Sequence, residues 1–287
     1  MSKEYGCEKL VLMENIIFDE TTGIIYRRWQ AQEPKAVFLL VHGLGAHTAR
    51  WEFLGDFFQR HNVSAYGLEL KGFGQTQGER GHIDSFDTYF QDIRFLYDVI
   101  KRENPDKKIF LLGESMGALI CFLYAALMPQ LFDGLICVTP AFSSKLYFSL
   151  RTYLAIWFAL FFNPKKQFPV PISPQMCTRD KEYQKIIDND PLDKRTATAR
   201  LYWNILKAQR GVTRFFKGKI DISLLVLTAG EDAVVDSLAT YKIFQGLNVY
   251  DKEILNYTDM SHALSIDVGR EKVFEDILKW VEKKIAR

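Results

Sequence analysis

The stretch "IFLLGESMGALICFLYAALMP", residues 109 to 129, sets an apolar run suited to a buried strand directly before an Ala-rich run suited to a helix. Gly113-Glu114-Ser115-Met116-Gly117 stands where the two runs meet. This pentapeptide matches the nucleophile elbow, G-x-S-x-G, a sharp strand-to-helix turn that leaves the serine hydroxyl exposed above a sheet. Positions 113 and 117 need glycine because a side chain there would collide with the neighbouring strand or helix. The stretch therefore predicts a strand, a nucleophilic Ser115 and a helix.

The rest of the chain predicts further strands and helices in alternation. Runs that alternate or are rich in β-branched residues predict strands at about residues 10–19, 23–31, 36–42, 64–70, 108–113, 134–139, 222–229 and 252–257. Helical patterns lie near residues 50–61, 85–103, 117–128, 235–246 and 269–286. Two strands joined by a turn at residues 20–23, followed by strand and helix in alternation, indicate an α/β protein. Its central sheet is expected to be mostly parallel, with helices on both faces.

The alternation stops at about Pro140 and resumes at about Asp221. A gap of roughly 80 residues is too long for a loop without structure in a compact domain, so it predicts an inserted helical cap. We place the cap at residues 141–218 and the core at residues 1–140 and 219–287.

The cap begins with a strongly apolar and aromatic segment, "KLYFSLRTYLAIWFALFF", residues 145–162. Its apolar part contains Arg151 and is shorter than the ~20 residues that a bilayer requires, so a membrane span is not expected. The composition favours contact with an apolar ligand or transiently with a membrane surface, and a buried core helix is the alternative. The residues expected to contact substrate are Tyr147, Leu150, Leu154, Trp157 and Phe158.

Composition excludes several classes of function. A net charge of +2 with 25% charged and 48% hydrophobic residues is typical of an ordinary globular protein. No basic run is interleaved with aromatic residues, which argues against nucleic acid as a partner. The four cysteines are far apart and indicate neither a metal site nor a disulfide framework. The first ten residues, MSKEYGCEKL, carry charge where a signal peptide would be apolar, so a cytoplasmic location is expected.

A serine nucleophile needs a general base and a carboxylate that orients it. Of the five histidines, only His262 follows a plausible final strand, in "ILNYTDMSHALSID". The acid is expected where "SLLVLTAGEDAVVD" leaves its strand, and Asp232 is favoured because it comes immediately after the strand end. Asp236 is expected to cap the next helix, and Glu231 ranks third. This gives the order Ser, acid, His along the chain, as the elbow fold requires.

Two backbone amides are expected to hold the oxyanion. The strand in "AVFLLVHGLGAH", residues 36–47, ends in glycines that let a backbone N–H turn toward the serine. We assign the donors to the amides of Leu44 and Met116, the latter at the start of the helix that follows the elbow. His42 precedes the serine in the chain, so it is expected to brace this loop rather than to act as the base.

Over nearly its whole length, the sequence resembles an α/β-hydrolase of the monoacylglycerol lipase and lysophospholipase group. Beyond the elbow and "HGLGAH", the segments "RWEFLGDFF", "GFGQTQGERGHIDSFDTYFQDI" and "TRDKEYQKIIDNDPL" resemble that group's segments in order and spacing. The resemblance implies hydrolysis of single-chain acyl esters, most readily monoacylglycerol, with no cofactor or metal. It places the triad on Ser115, Asp232 and His262. Glu114 stands where histidine is usual, and Phe73 and Thr76 stand where histidine and serine are usual; Glu114 is expected to affect the pH optimum.

The sequence leaves related activities open. A lysophospholipase or a short-chain carboxylesterase would use the same fold and triad. An aminopeptidase would want acidic cap residues, yet the acids of "DKEYQKIIDNDPLDK" alternate with lysines. Dehalogenases and epoxide hydrolases carry an aspartate where this chain has Ser115. A non-enzymatic lipid-binding module is disfavoured because the three triad residues occur in the correct order.

Overall fold

The structure, a computed structural model, describes residues 15–216 and 220–286. Eight strands form the central sheet in the spatial order β1-β2-β4-β3-β5-β6-β9-β10. Their bounds are β1 (Ile16–Phe18), β2 (Ile25–Trp29), β3 (Ala36–Val41), β4 (Val63–Leu68), β5 (Lys108–Glu114), β6 (Gly134–Val138), β9 (Leu224–Ala229) and β10 (Lys252–Tyr257). Residues 10–14 of the first predicted strand lie outside the described residues. The other strand predictions match to within a few residues.

The sheet is mostly parallel, as predicted. Each pair from β4 through β3, β5, β6 and β9 to β10 is parallel, whereas β2 pairs antiparallel with both β1 and β4. The helices that cover the sheet are α1 (Glu52–Arg60), α2 (Phe86–Glu103), α3 (Met116–Leu127) and α8 (Ser237–Gly246), which connect successive strands, and α9 (Arg270–Ile285), which follows β10. These bounds agree with the five predicted helices.

Helices cover both faces of the sheet because the strands are apolar on both faces. In β3, Val37 and Leu39 pack into a core with α2, α3 and α8, whereas Phe38 and Leu40 pack into a core with α1 and α9. Successive side chains of a strand point to opposite faces, so a continuous apolar run needs a helical layer on each side. The fold is an α/β-hydrolase fold. In such sheets, the loops at the carboxyl ends of the strands form the functional crevice.

The segment between β6 and β9 is mainly helical, as predicted for the cap. It contains α4 (Leu150–Phe162), α5 (Pro174–Cys177), α6 (Lys181–Asn189) and α7 (Ala199–Val212). It also contains a two-stranded antiparallel sheet of β7 (Gln167–Pro169) and β8 (Thr196–Thr198), which the sequence did not predict. The division into core and cap near residues 141 and 218 stays a prediction.

Helix α4 is apolar but mostly exposed. Ala159 is its only buried residue, and the aromatic side chains Trp157, Phe161 and Phe162 are 54%, 68% and 82% exposed. Across residues 15–216 and 220–286, every helix falls short of the length or the apolar character that crossing a bilayer demands. Helix α4 therefore presents an apolar surface that the described part of the chain leaves uncovered.

Candidate active site

Ser115 occupies a strained turn between β5 and α3. Its backbone angles are φ 57° and ψ −119°, a region that residues with a side chain rarely adopt. The turn is held by its backbone, because Ser115 N–H donates to Val138 O at 2.9 Å and Ser115 O accepts from Leu119 N–H and Ala141 N–H, both at 3.1 Å. The neighbouring strand, helix and loop therefore hold Ser115 in this strained conformation.

The two glycines of the elbow allow this turn. A Cβ at Gly113 would lie 2.5 Å from the carbonyl carbon and oxygen of Gly117. A Cβ at Gly117 would lie 2.1 Å from the carbonyl oxygen of Val41 in β3. Both distances are far below van der Waals contact. The predicted reason for the glycines, collision with the adjacent strand and helix, is thus confirmed.

The structure brings Ser115, His262 and Asp232 together. His262 Nε2 lies 2.9 Å from Ser115 Oγ, and His262 Nδ1 lies 2.8 Å from Asp232 Oδ2. In the neutral imidazole, Nδ1–H donates to the carboxylate and Nε2 accepts from the hydroxyl, which is the state needed for a general base. His262 and Asp232 are both buried.

Asp232 is held as a carboxylate. Its Oδ1 accepts from Val234 N–H at 2.8 Å and from Val235 N–H at 2.9 Å. Burial alone would raise the pKa of Asp232, but the neighbouring His262 and these two amides outweigh it, and the pKa lies below its usual value. A negative charge facing Nδ1 stabilises the imidazolium that forms when His262 takes a proton.

The other two candidate acids have different positions. Asp236 caps α8, and its Oδ1 accepts from Leu238 N–H and Ala239 N–H, both at 3.0 Å. Glu231 is exposed. The capping role predicted for Asp236 is confirmed.

His42 is a structural residue. It is buried, its Nε2 accepts from Leu70 N–H at 3.0 Å, and its Nδ1–H donates to Gly43 O at 2.9 Å. Burial lowers the pKa of His42 to about 3, so the imidazole is neutral. The residue braces the loop that carries Leu44, as predicted.

The loop after β3 passes close to the serine. A Cβ at Gly43 would lie 3.2 Å from Ser115 Cβ. Leu44, Ser115 and Met116 border the same cavity, and Met116 is the first residue of α3, whose N-terminus carries partial positive charge. This placement is compatible with oxyanion donors at Leu44 and Met116, an assignment that remains a proposal.

Two cavities meet at Ser115. The larger has a volume of about 500 Å³ and a mostly apolar lining that includes Tyr153, Ile156, Leu160 and Leu206. The smaller, of about 100 Å³, also borders His262 and has charged side chains in its lining. These charged residues are Arg50, Glu114, Asp193, Lys194 and Arg195.

The structure brings two of the five predicted cap contacts to the larger cavity, Leu154 and Trp157. Tyr147 and Leu150 are 83% and 75% exposed, and Phe158 is 54% exposed; none of the three is in this lining. Tyr147 precedes α4 and Leu150 is its first residue. Phe158 is turned by about 100° around the helix axis from Trp157. An apolar sequence does not by itself reveal which residues face the cavity.

Sequence reasoning missed two residues of the loop that carries His262. Asp267 Oδ2 accepts from Ser261 N–H at 2.8 Å, and Ser265 donates from N–H and Oγ to Glu114 at 3.1 and 2.9 Å. The local sequence predicts neither contact. The bonds between Glu114 and Ser265 join residues that are distant in the chain, and the bond between Ser261 and Asp267 depends on how one loop folds back on itself.

Within the part of the chain that the structure describes, one group of side chains, His47, Asp190 and Asp193, has the spacing of a metal site. Each carboxylate already has a partner. His47 Nε2 lies 2.7 Å from Asp190 Oδ2, and Arg50 pairs with Asp193. These pairs join the segment after β3 to the segment after α6.

Comparisons with known proteins identify the family to which this chain is similar. The sequence profile of the Hydrolase_4 family, described as serine aminopeptidase S33, matches residues 32–269. Monoglyceride lipase of Mus musculus is 27% identical over 91% of this chain and 87% of its own length. Phospholipase YtpA of Bacillus subtilis is 27% identical over 86% of this chain and 95% of its own length.

Solved structures share the fold. The crystal structure of a soluble variant of monoglyceride lipase from Saccharomyces cerevisiae, in complex with a substrate analogue, superposes with a TM-score of 0.82 at 21% identity. That match covers 93% of this chain and 94% of the yeast chain.

Proposed function

The chain belongs to the Hydrolase_4 family, serine aminopeptidase S33, and on that premise we propose that it is a serine ester hydrolase that cleaves monoacylglycerol. The observation that carries the proposal is the pair of hydrogen bonds linking Ser115, His262 and Asp232 beside an apolar cavity of about 500 Å³. Ligand pockets for small organic molecules have volumes of roughly 300–1,000 Å³. A single acyl chain is the substrate group that this apolar lining favours.

The reaction proceeds by acyl transfer. His262 Nε2 takes the proton of Ser115 Oγ as that oxygen attacks the ester carbonyl, and the Asp232 carboxylate stabilises the imidazolium. The amides of Leu44 and Met116 stabilise the oxyanion. His262 returns the proton to the leaving alcohol, and water then cleaves the acyl-enzyme by the same route.

The two cavities suit the two halves of the substrate. The acyl chain occupies the larger cavity, between α4, α7 and the elbow. The smaller cavity receives the alcohol, because it borders both Ser115 and His262 and carries polar side chains. The mouse and yeast relatives bear the name monoglyceride lipase, which supports glycerol as that alcohol.

Labelling with a fluorophosphonate probe tests the nucleophile. We expect the wild-type protein to be modified at Ser115 and Ser115→Ala to remain unmodified. Hydrolysis of monoacylglycerol should be lost in the same variant. A folded wild-type protein that neither reacts with the probe nor cleaves monoacylglycerol or aryl esters contradicts the proposal.

A lysophospholipase is the second candidate. The lining of the smaller cavity includes the cationic side chains of Arg50, Lys194 and Arg195. The Nη1 atom of Arg50 is buried and has no hydrogen-bond partner among the residues that the structure describes. A phosphate group would accept hydrogen bonds from such a set of cations. The Bacillus relative bears the name phospholipase. Comparing hydrolysis of monoacylglycerol, diacylglycerol, lysophosphatidylcholine and short aryl esters separates the two candidates and a short-chain carboxylesterase.

An aminopeptidase activity is less well supported. Such an enzyme needs an acidic side chain that is free to hold the substrate's amino group. The acids of the smaller cavity are Glu114 and Asp193, and these bond to Ser265 and Arg50 respectively. We therefore favour the ester substrate.

We propose that the protein makes transient contact with a membrane surface through α4. Its exposed side chains Trp157, Phe161 and Phe162 are of the kind that insert at the boundary between headgroups and acyl chains. We expect the protein to sediment with phosphatidylcholine vesicles and the triple variant Trp157→Ser/Phe161→Ser/Phe162→Ser to stay in the supernatant. Equal sedimentation of the two proteins contradicts this contact. A cytoplasmic location remains a prediction of the sequence.

A further inference from the structure

Glu114, the residue immediately before the nucleophile, makes contacts that the acyl-transfer steps do not use. Its Oε1 accepts from Ser265 N–H at 3.1 Å, and its Oε2 accepts from Ser265 Oγ at 2.9 Å. Glu114 is 8% exposed and Ser265 is 2% exposed. A buried carboxylate thus engages one serine through both of its oxygens.

Ser265 follows His262 by three residues in the loop between β10 and α9. Other contacts hold the same loop from elsewhere. Ser261 N–H donates to Asp267 Oδ2 at 2.8 Å, and Ala263 N–H donates to Cys177 O in α5 at 2.8 Å. The bonds to Glu114 differ because their acceptor is adjacent to Ser115 in the chain. They connect the loop of the base directly to the strand of the nucleophile.

We propose that Glu114 is a positioning residue that fixes His262 relative to Ser115 by clamping Ser265. The inference rests on the proposed function, in which Ser115 is the nucleophile and His262 the base. The distance that the clamp controls is the 2.9 Å separation between His262 Nε2 and Ser115 Oγ. Proton transfer requires that separation, and a shift of about 1 Å in such a geometry costs on the order of 100-fold in rate.

The charge of Glu114 acts on the same pair. Burial raises the pKa of Glu114, and the Ser265 donors, His262 and Arg50 oppose that rise. His262 itself faces Asp232 and Glu114, and the neighbouring Cys177 thiol is kept neutral by burial. In its ionised form, Glu114 places a second negative charge near the imidazole.

The clamp is tested with Glu114→Ala, Glu114→Gln, Ser265→Ala and the double variant Glu114→Ala/Ser265→Ala. The measurements are the rate of Ser115 modification by a fluorophosphonate, and kcat and KM for a soluble p-nitrophenyl ester. Glu114→Ala is expected to lower kcat and the labelling rate on the order of 100-fold, because the base is displaced. KM should change much less than kcat, because Glu114 borders the smaller cavity but not the acyl cavity. Ser265→Ala keeps its N–H and should lose less.

Two further results distinguish a clamp from general destabilisation. The double variant should be no slower than Glu114→Ala, since residues of one hydrogen-bonded unit do not contribute independently. Glu114→Gln keeps an acceptor for Ser265 and should recover to within about tenfold of the wild-type kcat.

Ser223→Ala is the matched control. It removes a hydrogen bond of the same kind, from the Ser223 hydroxyl to Asp251 Oδ2 at 2.8 Å. This bond joins the start of β9 to the loop before β10, at the opposite end of the strands from Ser115. Its kcat should equal that of the wild type.

Wild-type labelling and turnover rates in folded Glu114→Ala or Ser265→Ala would overturn the clamp while leaving the proposed function intact. Additive losses in the double variant, or an equal loss in Ser223→Ala, would overturn it as well. A wild-type protein that is not labelled at all would overturn the proposed function and the clamp together. If Glu114→Ala does not fold, Glu114→Gln and Ser265→Ala give the same decision through kcat and the labelling rate.

Discussion

Replacing Asp232 by asparagine should leave the fold in place and abolish the base. The carboxylate uses one oxygen for structure and one for catalysis: Oδ1 accepts from the amides of Val234 and Val235, and Oδ2 faces His262 Nδ1. An asparagine can place its carbonyl oxygen at the Oδ1 position and keep both backbone bonds. Its NH₂ group then points at His262 Nδ1.

This orientation of the asparagine changes the tautomer of the neutral imidazole, with the hydrogen on Nε2 instead of Nδ1. An NH₂ group can only donate to Nδ1, so the hydrogen of the neutral ring moves to Nε2, where it faces Ser115 Oγ. A ring protonated at Nε2 cannot accept the serine proton. The loss in kcat for such a change is on the order of 10⁴-fold, equivalent to about 5.5 kcal/mol of activation free energy at 1.36 kcal/mol per factor of ten. The opposite orientation would leave two buried amides unpaired, at about 1–3 kcal/mol of stability for each.

The assay measures kcat on a p-nitrophenyl ester together with the midpoint of urea unfolding for Asp232→Asn and Asp236→Asn. Asp236 is a matched control, because its carboxylate also accepts two backbone N–H bonds but caps α8 away from His262. Asp236→Asn should keep wild-type kcat. If folded Asp232→Asn retains more than about a tenth of wild-type kcat, or Asp236→Asn is equally damaged, the assignment of the acid is wrong.

Three more predictions follow from the fold and the cavities. Leu206→Trp fills part of the larger cavity, so kcat/KM for long-chain p-nitrophenyl esters should fall about tenfold, since each methylene that is denied burial costs about 0.8 kcal/mol. Hydrolysis of the acetate ester should stay near the wild-type rate. An equal loss on both esters would contradict the placement of the acyl chain. Gly117→Ala puts a Cβ 2.1 Å from Val41 O and should lower the free energy of unfolding by at least about 1–3 kcal/mol, whereas Gly211→Ala in α7, with its nearest atom at 3.5 Å, should raise it by up to about 1 kcal/mol. Burial opposes ionisation of Asp267, but bonds from the N–H groups of Arg179, Ser261 and Val268 and from the Arg179 side chain lower its pKa below 3.8; its stabilisation is therefore present above that pH and lost as pH falls through the folded-state pKa. In urea unfolding, the deficit of Asp267→Asn should be large at pH 7 and shrink toward pH 3, and a deficit independent of pH would refute this linkage.

Much of the fold was predictable because its signals are local. The strand predicted at residues 108–113 and the helix predicted at 117–128 are observed at Lys108–Glu114 and Met116–Leu127. An apolar run of strand length, two glycines and a helical run determine this unit without reference to the rest of the chain. Capping is local as well, which is why the role of Asp236 could be predicted from its position before α8.

His262 was predictable for a different reason, since the fold limits where a base can come from. Parallel strands end at one edge of the sheet, so a histidine after the last strand lies near a serine after β5 even though 147 residues separate them. Chain order and strand direction thus replace a local motif. The same argument locates Asp232 at the end of β9 but does not specify which of its oxygens serves the histidine.

The short strands β7 and β8 were not predictable, because three residues are too few to show an alternating pattern and each strand is stabilised by the other. The partner of Glu114 was hidden for a related reason. A carboxylate before the nucleophile is visible in the sequence, but its bond to Ser265 depends on how the loop after β10 folds back on β5, and no spacing rule describes that loop. The positions of Tyr147, Leu150 and Phe158 were not predictable either. Their hydrophobicity indicates that α4 needs an apolar neighbour, but the direction of each side chain depends on where the helix lies over the sheet. Local sequence therefore determines the elements and the nucleophile, and tertiary placement determines which residues hold the base and which meet the acyl chain.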